Sequence, residues 1–242
     1  YAILLSKKLK SVIIFFYCSH ISSYALSAAT TEEQMAALIK EDEMHKLEMM
    51  QEQVKKVYKT LDINKIPTSI QYIVEFNPML VIRTIELAKE KNAGLIVMGT
   101  HGATGITKFF FGSNTSIMIS RSDIPVLAIP EGYKYNIPEN IIFASDLENL
   151  ETELKQVLPF AMAIQSKLNV LYLDYGMDTD DNIVKNAETT IKQTGYKKIK
   201  LISQKASIET SLVSQVKKYI SKNEPDCLVM FTRQRSLWDR LF

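Results

Sequence analysis

The residues of this sequence best suited to hold a ligand lie between Met98 and Thr115. Gly99-Thr100-His101-Gly102 is followed nine residues later by Gly112-Ser113-Asn114-Thr115. A glycine at a strand end lets the chain turn sharply and lets bare main chain approach a ligand. Successive N–H groups in such a turn form an anion-binding nest. A helix starting near Ser113, capped by Ser113, Asn114 or Thr115, adds free N–H groups and a favourable dipole. The chemistry this suits is phosphate binding. Other phosphate motifs are absent: the chain has no G-x-x-x-x-G-K-[ST] and no G-x-G-x-x-G. It has neither a G-x-S-x-G elbow nor an H-x-G-H pair.

The elements that must position these residues are a strand at Leu95–Met98, a helix ending near Arg121 and a strand at Val126–Ile129. Val12–Phe16, Ile141–Phe143 and Val170–Leu173 are likewise continuously apolar. Such strands are buried on both faces, as in a parallel sheet flanked by helices. Ligands of these folds bind beyond the carboxyl ends of the strands.

The chain also repeats itself. Tyr1–Tyr17 aligns with Phe160–Tyr175 through one gap, and Leu95–Phe110 aligns with Cys227–Phe242 without any. A strand at Ser69–Val74 answers Lys198–Ser203, and a helix at Pro78–Lys91 answers Ile208–Lys222. The expected domains are 1–132 and 138–242, joined through Glu131–Glu139. The first opens inside a helix with no counterpart of the strand Asn140–Ser145. The second stops before any counterpart of the closing helix and strand. Both are therefore expected to be incomplete at the chain ends. The first copy also shows an extra amphipathic segment, Thr30–Lys59, with apolar positions at Met35, Leu38, Met44, Leu47, Met50, Val54 and Val57. Its methionines suit packing or an adaptable contact surface.

Composition narrows the class. Of 242 residues, 46% are hydrophobic and 23% charged, with formal net charge +2. No strong field favours nucleic acid or membrane. Lys7, Lys8 and Lys10, the apolar run Val12–Cys18 and Ala25-Leu26-Ser27-Ala28 resemble a secretory signal. The run is short and rich in β-branched and aromatic residues, so the repeat favours a buried strand. Two distant cysteines, Cys18 and Cys227, read as buried free thiols.

Gly99-x2-Gly102-x9-Gly112-Ser113 resembles the nucleotide loop of universal stress proteins, and Ser122-Asp123-Ile124-Pro125-Val126-Leu127 resembles that family's closing turn and strand. The resemblance implies an α/β fold: two flavodoxin-like or adenine-nucleotide α-hydrolase-like domains with parallel sheets flanked by helices. It implies domain pairing, a homo-oligomer and a cytoplasmic protein of the stress response. It also implies an adenine nucleotide, ATP with Mg²⁺ or Mn²⁺, as the ligand. Met98 would lie near the ribose or base, and Gly99 and Gly102 beside the α- and β-phosphates. Thr100 and His101 share that loop, and Gly112, Ser113 and Asn114 would hold the terminal phosphates.

No general base stands nearby, so at most slow ATP hydrolysis is expected. His101 is either a phosphate contact or a solvated turn residue. In the second copy Phe231 and Gln234 replace the two glycines. Asp146 there is a ribose contact or a helix cap, and Arg233, Arg235 and Arg240 form an anion site or a solvated rim. Trp238 and Phe109–Phe111 read as packing residues, and Asp178–Asp181 as a solvated turn. A dimerising scaffold without nucleotide is the alternative function.

Overall fold

The computed structural model describes residues 1–21, 29–100, 112–176 and 182–232. His101, Gly102, Phe109–Phe111, Asp178–Asp181, Ala25–Ala28, Trp238 and the three arginines after Thr232 lie outside them. The chain divides into two compact units, Tyr1–Tyr133 and Lys134–Phe242.

Unit one begins with helix α1 (Ala2–Leu9) and strand β1 (Ile14–Ser19). Helix α1 stops at Lys10, whose φ of 51° is left-handed. Ser11 N–H then reaches back to the Ser6 carbonyl, closing the helix end. The run after Lys10 is thus a strand, as its residue types implied. Helix α2 (Glu32–Thr60) starts on a strong cap. The Thr31 hydroxyl accepts from Gln34 N–H, while Gln34 Oε1 accepts from Thr30 N–H. Glu32 and Glu33 in its first turn suit the helix dipole.

The buried residues of α2 are Val54 and Tyr58. Val57, counted among the apolar positions by periodicity, is 44% exposed. A phase error of one residue on the helix explains the difference: aromatic Tyr58, not Val57, faces Ile3 and Phe15. Strand β2 (Gln71–Phe76) runs parallel to β1, from Ile14 opposite Gln71 to Ser19 opposite Phe76. Glu43 of α2 accepts the Phe76 N–H at 2.8 Å, pinning the long helix at the carboxyl end of β2.

Helix α3 (Leu80–Glu90) follows, held to β2 by Arg83, whose guanidinium meets Glu75 at 2.5 Å and Glu90 at 2.7 Å. Strands β3 (Ile96–Gly99) and β4 (Val126–Ile129) pair in parallel, with helix α4 (Ser113–Arg121) between them in sequence. Val81, Ile85, Ala88, Ile96 and Met118 form the core that joins α3, β3 and α4.

Unit two contains β5 (Asn140–Ala144), α5 (Leu150–Ile164), β6 (Lys167–Asp174), α6 (Asn182–Gln193), β7 (Ile199–Lys205), α7 (Leu212–Asn223) and β8 (Cys227–Met230). Its strands form one parallel sheet in the order β7-β6-β5-β8. Strand order reverses at β5, where folds of this class leave a crevice. Ile141, Phe143, Leu168 and Val170 are wholly buried. Asp226 Oδ2 accepts N–H groups from Glu139 and Asn140, both at 2.9 Å, tying the starts of β5 and β8 together.

The sequence match between the units shifts once geometry is known. Helix α5 ends at Gln165 with φ 61°, and Ser166 N–H reaches the Ala161 carbonyl, as Ser11 reaches Ser6. Lys10 therefore answers Gln165, and Tyr17 answers Tyr172 rather than Tyr175. The gapped alignment slipped by about one helical turn, a slip the 3.6-residue apolar period tolerates. The segment read as extra in the first copy also has a counterpart. Helix α6 occupies the same place in the order as α2, with 12 residues against 29.

Candidate functional site

The site is built where β3 ends and α4 begins. Strand β3 delivers Met98, half-buried against the α3–α4 core, and then Gly99, which is exposed. Among the described residues, a Cβ added at Gly99 would meet nothing within 4 Å. No described neighbour requires glycine there, and its φ is not left-handed. Thr100 behaves differently. Its N–H donates to the Ile129 carbonyl at 2.9 Å, and its hydroxyl lies 3.5 Å from the same oxygen. Thr100 is buried and already engaged with β4.

Helix α4 starts beside this strand end. The Thr115 hydroxyl, buried, donates to the Gly99 carbonyl at 3.4 Å. Gly112 is the N-cap and has no side chain to bond the first turn, which corrects the expected cap by Ser113, Asn114 or Thr115. Ser113 and Asn114 form the exposed start of the helix, with no acidic residue in that turn. The first N–H groups of a helix have no partner inside it. Here they lie close to Gly99 and carry the positive end of the helix dipole. Among the described residues the Thr115–Gly99 bond ties α4 to the end of β3, with Met98 preceding Gly99 on the strand and Gly112, Ser113 and Asn114 opening the helix. Thr100 is turned away, and His101 and Gly102 lie outside the described residues.

The second unit carries side chains at the corresponding place. Sequence alone sets Phe231 against Gly99. Hydrogen bonds move the match by one residue. Asp226 donates to Asn140, so Leu228 and Met230 turn their main-chain groups toward β5. In unit one Ile96 and Thr100 donate to Pro125 and Ile129 of the β4 side, leaving Val97 and Gly99 to face the other edge. Gly99 therefore answers Met230, and buried Thr100 answers Phe231. Phe231 packs edge-on against Phe143, with ring centroids 5.6 Å apart.

Asp146 Oδ1 accepts the Glu148 N–H at 3.1 Å, a turn-forming bond. Beside it the Ser145 hydroxyl donates to buried Glu153 and accepts from Leu147 N–H. Asp146 thus closes a turn ahead of α5 and is not its cap: the N-cap is Asn149, with no side-chain cap bond. A groove of about 400 Å³ does open in unit two, lined by Leu147, Asn149, Thr152, Ile183, Asn186 and Thr190. It contains none of the residues the glycine pattern singled out.

The two thiols are free and half-buried. Burial raises the Cys227 thiol to about 11, with Asp226 adding to the shift. Burial also raises Cys18, against a partial offset from its bond to the Asn77 carbonyl. Neither is activated as a nucleophile. Among the described residues no helix is long and apolar enough to cross a membrane.

Comparison with known proteins fits this geometry. The family model described as Universal stress protein family matches residues 1–130. Universal stress protein MJ0531 of Methanocaldococcus jannaschii is 30% identical over 135 residues, 55% of this chain and 74% of the relative. Among solved structures, a universal stress protein from Archaeoglobus fulgidus superposes with TM-score 0.59 at 13% identity, covering 90% of this chain and 86% of that one. PA1789 of Pseudomonas aeruginosa PAO1, of unknown function, superposes with TM-score 0.55 at 11% identity, covering 98% and 87%. These two likenesses speak to fold: α/β domains of the flavodoxin-like kind. With its first half matched by the family model and a curated relative covered over most of its length, the chain belongs to the universal stress protein family.

Proposed function

We propose that unit one binds an adenine nucleotide at the carboxyl end of β3, and that the protein is a nucleotide-responsive regulatory module of the stress response. The observation that carries this reading is the open main chain of Gly99 lying against the start of α4, a helix with no side-chain cap and no acid in its first turn. Free N–H groups, a helix dipole and absent side chains favour a phosphate group. The adenine nucleotide, and ATP in particular, follows from the family resemblance of the glycine pattern. Among the described residues no group of three or more His, Cys, Asp or Glu gathers to hold a metal. Mg²⁺ or Mn²⁺ would then arrive on the phosphates, which need such a cation to offset their charge.

In this reading the chain's own groups bind and orient. The α4 N–H groups and the Ser113 hydroxyl face the terminal phosphates, and Met98 offers an apolar edge. In this reading unit one is the competent unit, and unit two carries the Met230 side chain where unit one has Gly99. Millimolar ATP–Mg²⁺ is expected to raise the melting temperature of the chain, since a ligand at 100 times its Kd adds about 2.7 kcal/mol. Gly99→Met should remove that rise. A rise that survives the substitution places the nucleotide elsewhere.

A second reading, a dimerising scaffold without nucleotide, draws on α2. Met44 is 55% exposed and Met49 47% exposed there. It requires a concentration-dependent dimer in sedimentation and no thermal response to ATP.

A further inference from the structure

Helix α2 is longer than its place in the fold needs. It runs 29 residues, about 43 Å, where α6 at the same place in unit two runs 12, about 18 Å. Its buried residues, Val54 and Tyr58, lie one turn apart near its C-terminal end and pack with Ile3 and Phe15. A second line of residues follows alternating steps of four and three along another side: Met35, Ile39, Asp42, Lys46, Met49 and Gln53. Glu32 and Lys56 extend it by one step at each end. That spacing is the seam of a coiled coil. It lies about a third of a turn round the helix from Val54 and Tyr58. Met35, Ile39, Asp42 and Lys46 are half-buried on it, Gln53 is exposed and Met49 is 47% exposed.

Two features say what the seam takes. The first is segregated charge. Glu32–Glu43 holds five carboxylates and one lysine, whereas Lys46–Lys59 holds four lysines and two carboxylates. Laid in parallel beside a second α2, each half would meet its like. Laid antiparallel, the acidic half meets the basic half. The second feature is at the middle of the seam. Asp42 and Lys46 stand one turn apart, yet neither forms an ion pair among the described residues. One Asp42 carboxylate oxygen is buried with no hydrogen-bond partner, which opposes stability.

We propose that α2 pairs antiparallel with α2 of a second copy along this seam, Asp42 of each chain lying against Lys46 of the other. The register follows from that match. Ile39 lies opposite Met49 of the second copy, Met35 opposite Gln53, and Glu32 opposite Lys56. Each layer occurs twice, as two-fold symmetry requires. The central charged layers select this register over its neighbours, while the methionines adapt to the facing helix. Pairing also gives the Asp42 carboxylate the cation that its own chain does not supply. The inference rests on the dimerising reading of α2, to which it adds a surface and a register, and it does not involve nucleotide.

The test is sedimentation equilibrium of the whole chain without nucleotide, with circular dichroism to confirm that each variant is folded. Asp42→Lys sets like charges against each other at both central layers, and so does Lys46→Asp. Each variant alone should dimerise at least about tenfold more weakly than the unaltered chain. Mixing the two variants should restore the dimer, because opposite charges then meet at both layers. Rescue of this kind does not arise from a merely damaged chain. Ile39→Glu mixed with Met49→Lys repeats the exchange at the next layer, should a central variant not fold. Folded single variants that dimerise like the unaltered chain, or that gain nothing on mixing, overturn the seam and leave a dimer through another surface. An unaltered chain that stays monomeric at every concentration overturns the seam and the dimerising reading together.

Discussion

Two strand ends, that of β3 and that of β8, make the same element serve different purposes. At β3 the last residue is Gly99, where an added Cβ would meet no described atom within 4 Å. At β8 the last residue is Met230, and Phe231 follows it onto Phe143. One end leaves main chain accessible; the other carries the Met230 side chain there, with Phe231, the counterpart of Thr100, against Phe143. At the matched residue unit one has bare main chain and unit two a half-buried methionine side chain.

The comparison can be broken most sharply in unit two. Phe143→Ala removes a fully buried ring and its partner contact, and should cost about 3–5 kcal/mol by urea denaturation. Phe231→Ala, at the half-buried ring of the pair, should cost less, about 1–2 kcal/mol. If Phe231→Ala were neutral, the end of β8 would not be a packing site.

A pH series sharpens the same end. The Cys227 thiol is raised from 9.0 to about 11, so the folded state holds its proton more firmly than the unfolded chain does. Its contribution to stability is complete below pH 9 and is lost as pH rises toward about 11. Wild-type chain should lose stability over that window more steeply than Cys227→Ala, as read by chemical denaturation at each pH.

The smaller effects belong to unit one. Thr115→Val deletes the hydroxyl that ties α4 to the Gly99 carbonyl, and should cost about 1 kcal/mol. It should also weaken nucleotide binding, which titration calorimetry would register. Gly99→Met should change stability least, by under about 0.5 kcal/mol, because no left-handed φ or close neighbour demands glycine. A large loss of stability in Gly99→Met would show that the glycine serves the fold.

How much of this was legible in the sequence depends on which period carried the signal. Continuous apolar runs marked strands such as Val126–Ile129 to the residue, since burial on both faces leaves no alternation to misread. The end of α4 at Arg121 was equally clear, with Pro125 close behind. Phase was harder. Val57 and Tyr58 are both apolar neighbours on one helix, and only packing against Ile3 and Phe15 selects Tyr58. The match of Tyr17 to Tyr175 failed because similar residues recur about one turn apart. The left-handed residues Lys10 and Gln165 settled it, and neither is glycine, so no residue type announced them. At the site, Gly99 ends β3 and Gly112, Ser113 and Asn114 open α4, while the printed link between the two elements is Thr115 to the Gly99 carbonyl, which the glycine spacing did not single out. The commitment of Thr100 to Ile129 was invisible, because it depends on which edge of β3 faces β4.

The most direct test of the account is isothermal titration of ATP–Mg²⁺ into three chains: wild type, Gly99→Met and Met230→Gly. Wild type and Met230→Gly should bind at one site with similar affinity, while Gly99→Met should give no heat of binding. Unaltered binding by Gly99→Met, in a chain shown to be folded, would contradict the claim that bare main chain at the end of β3 holds the phosphates.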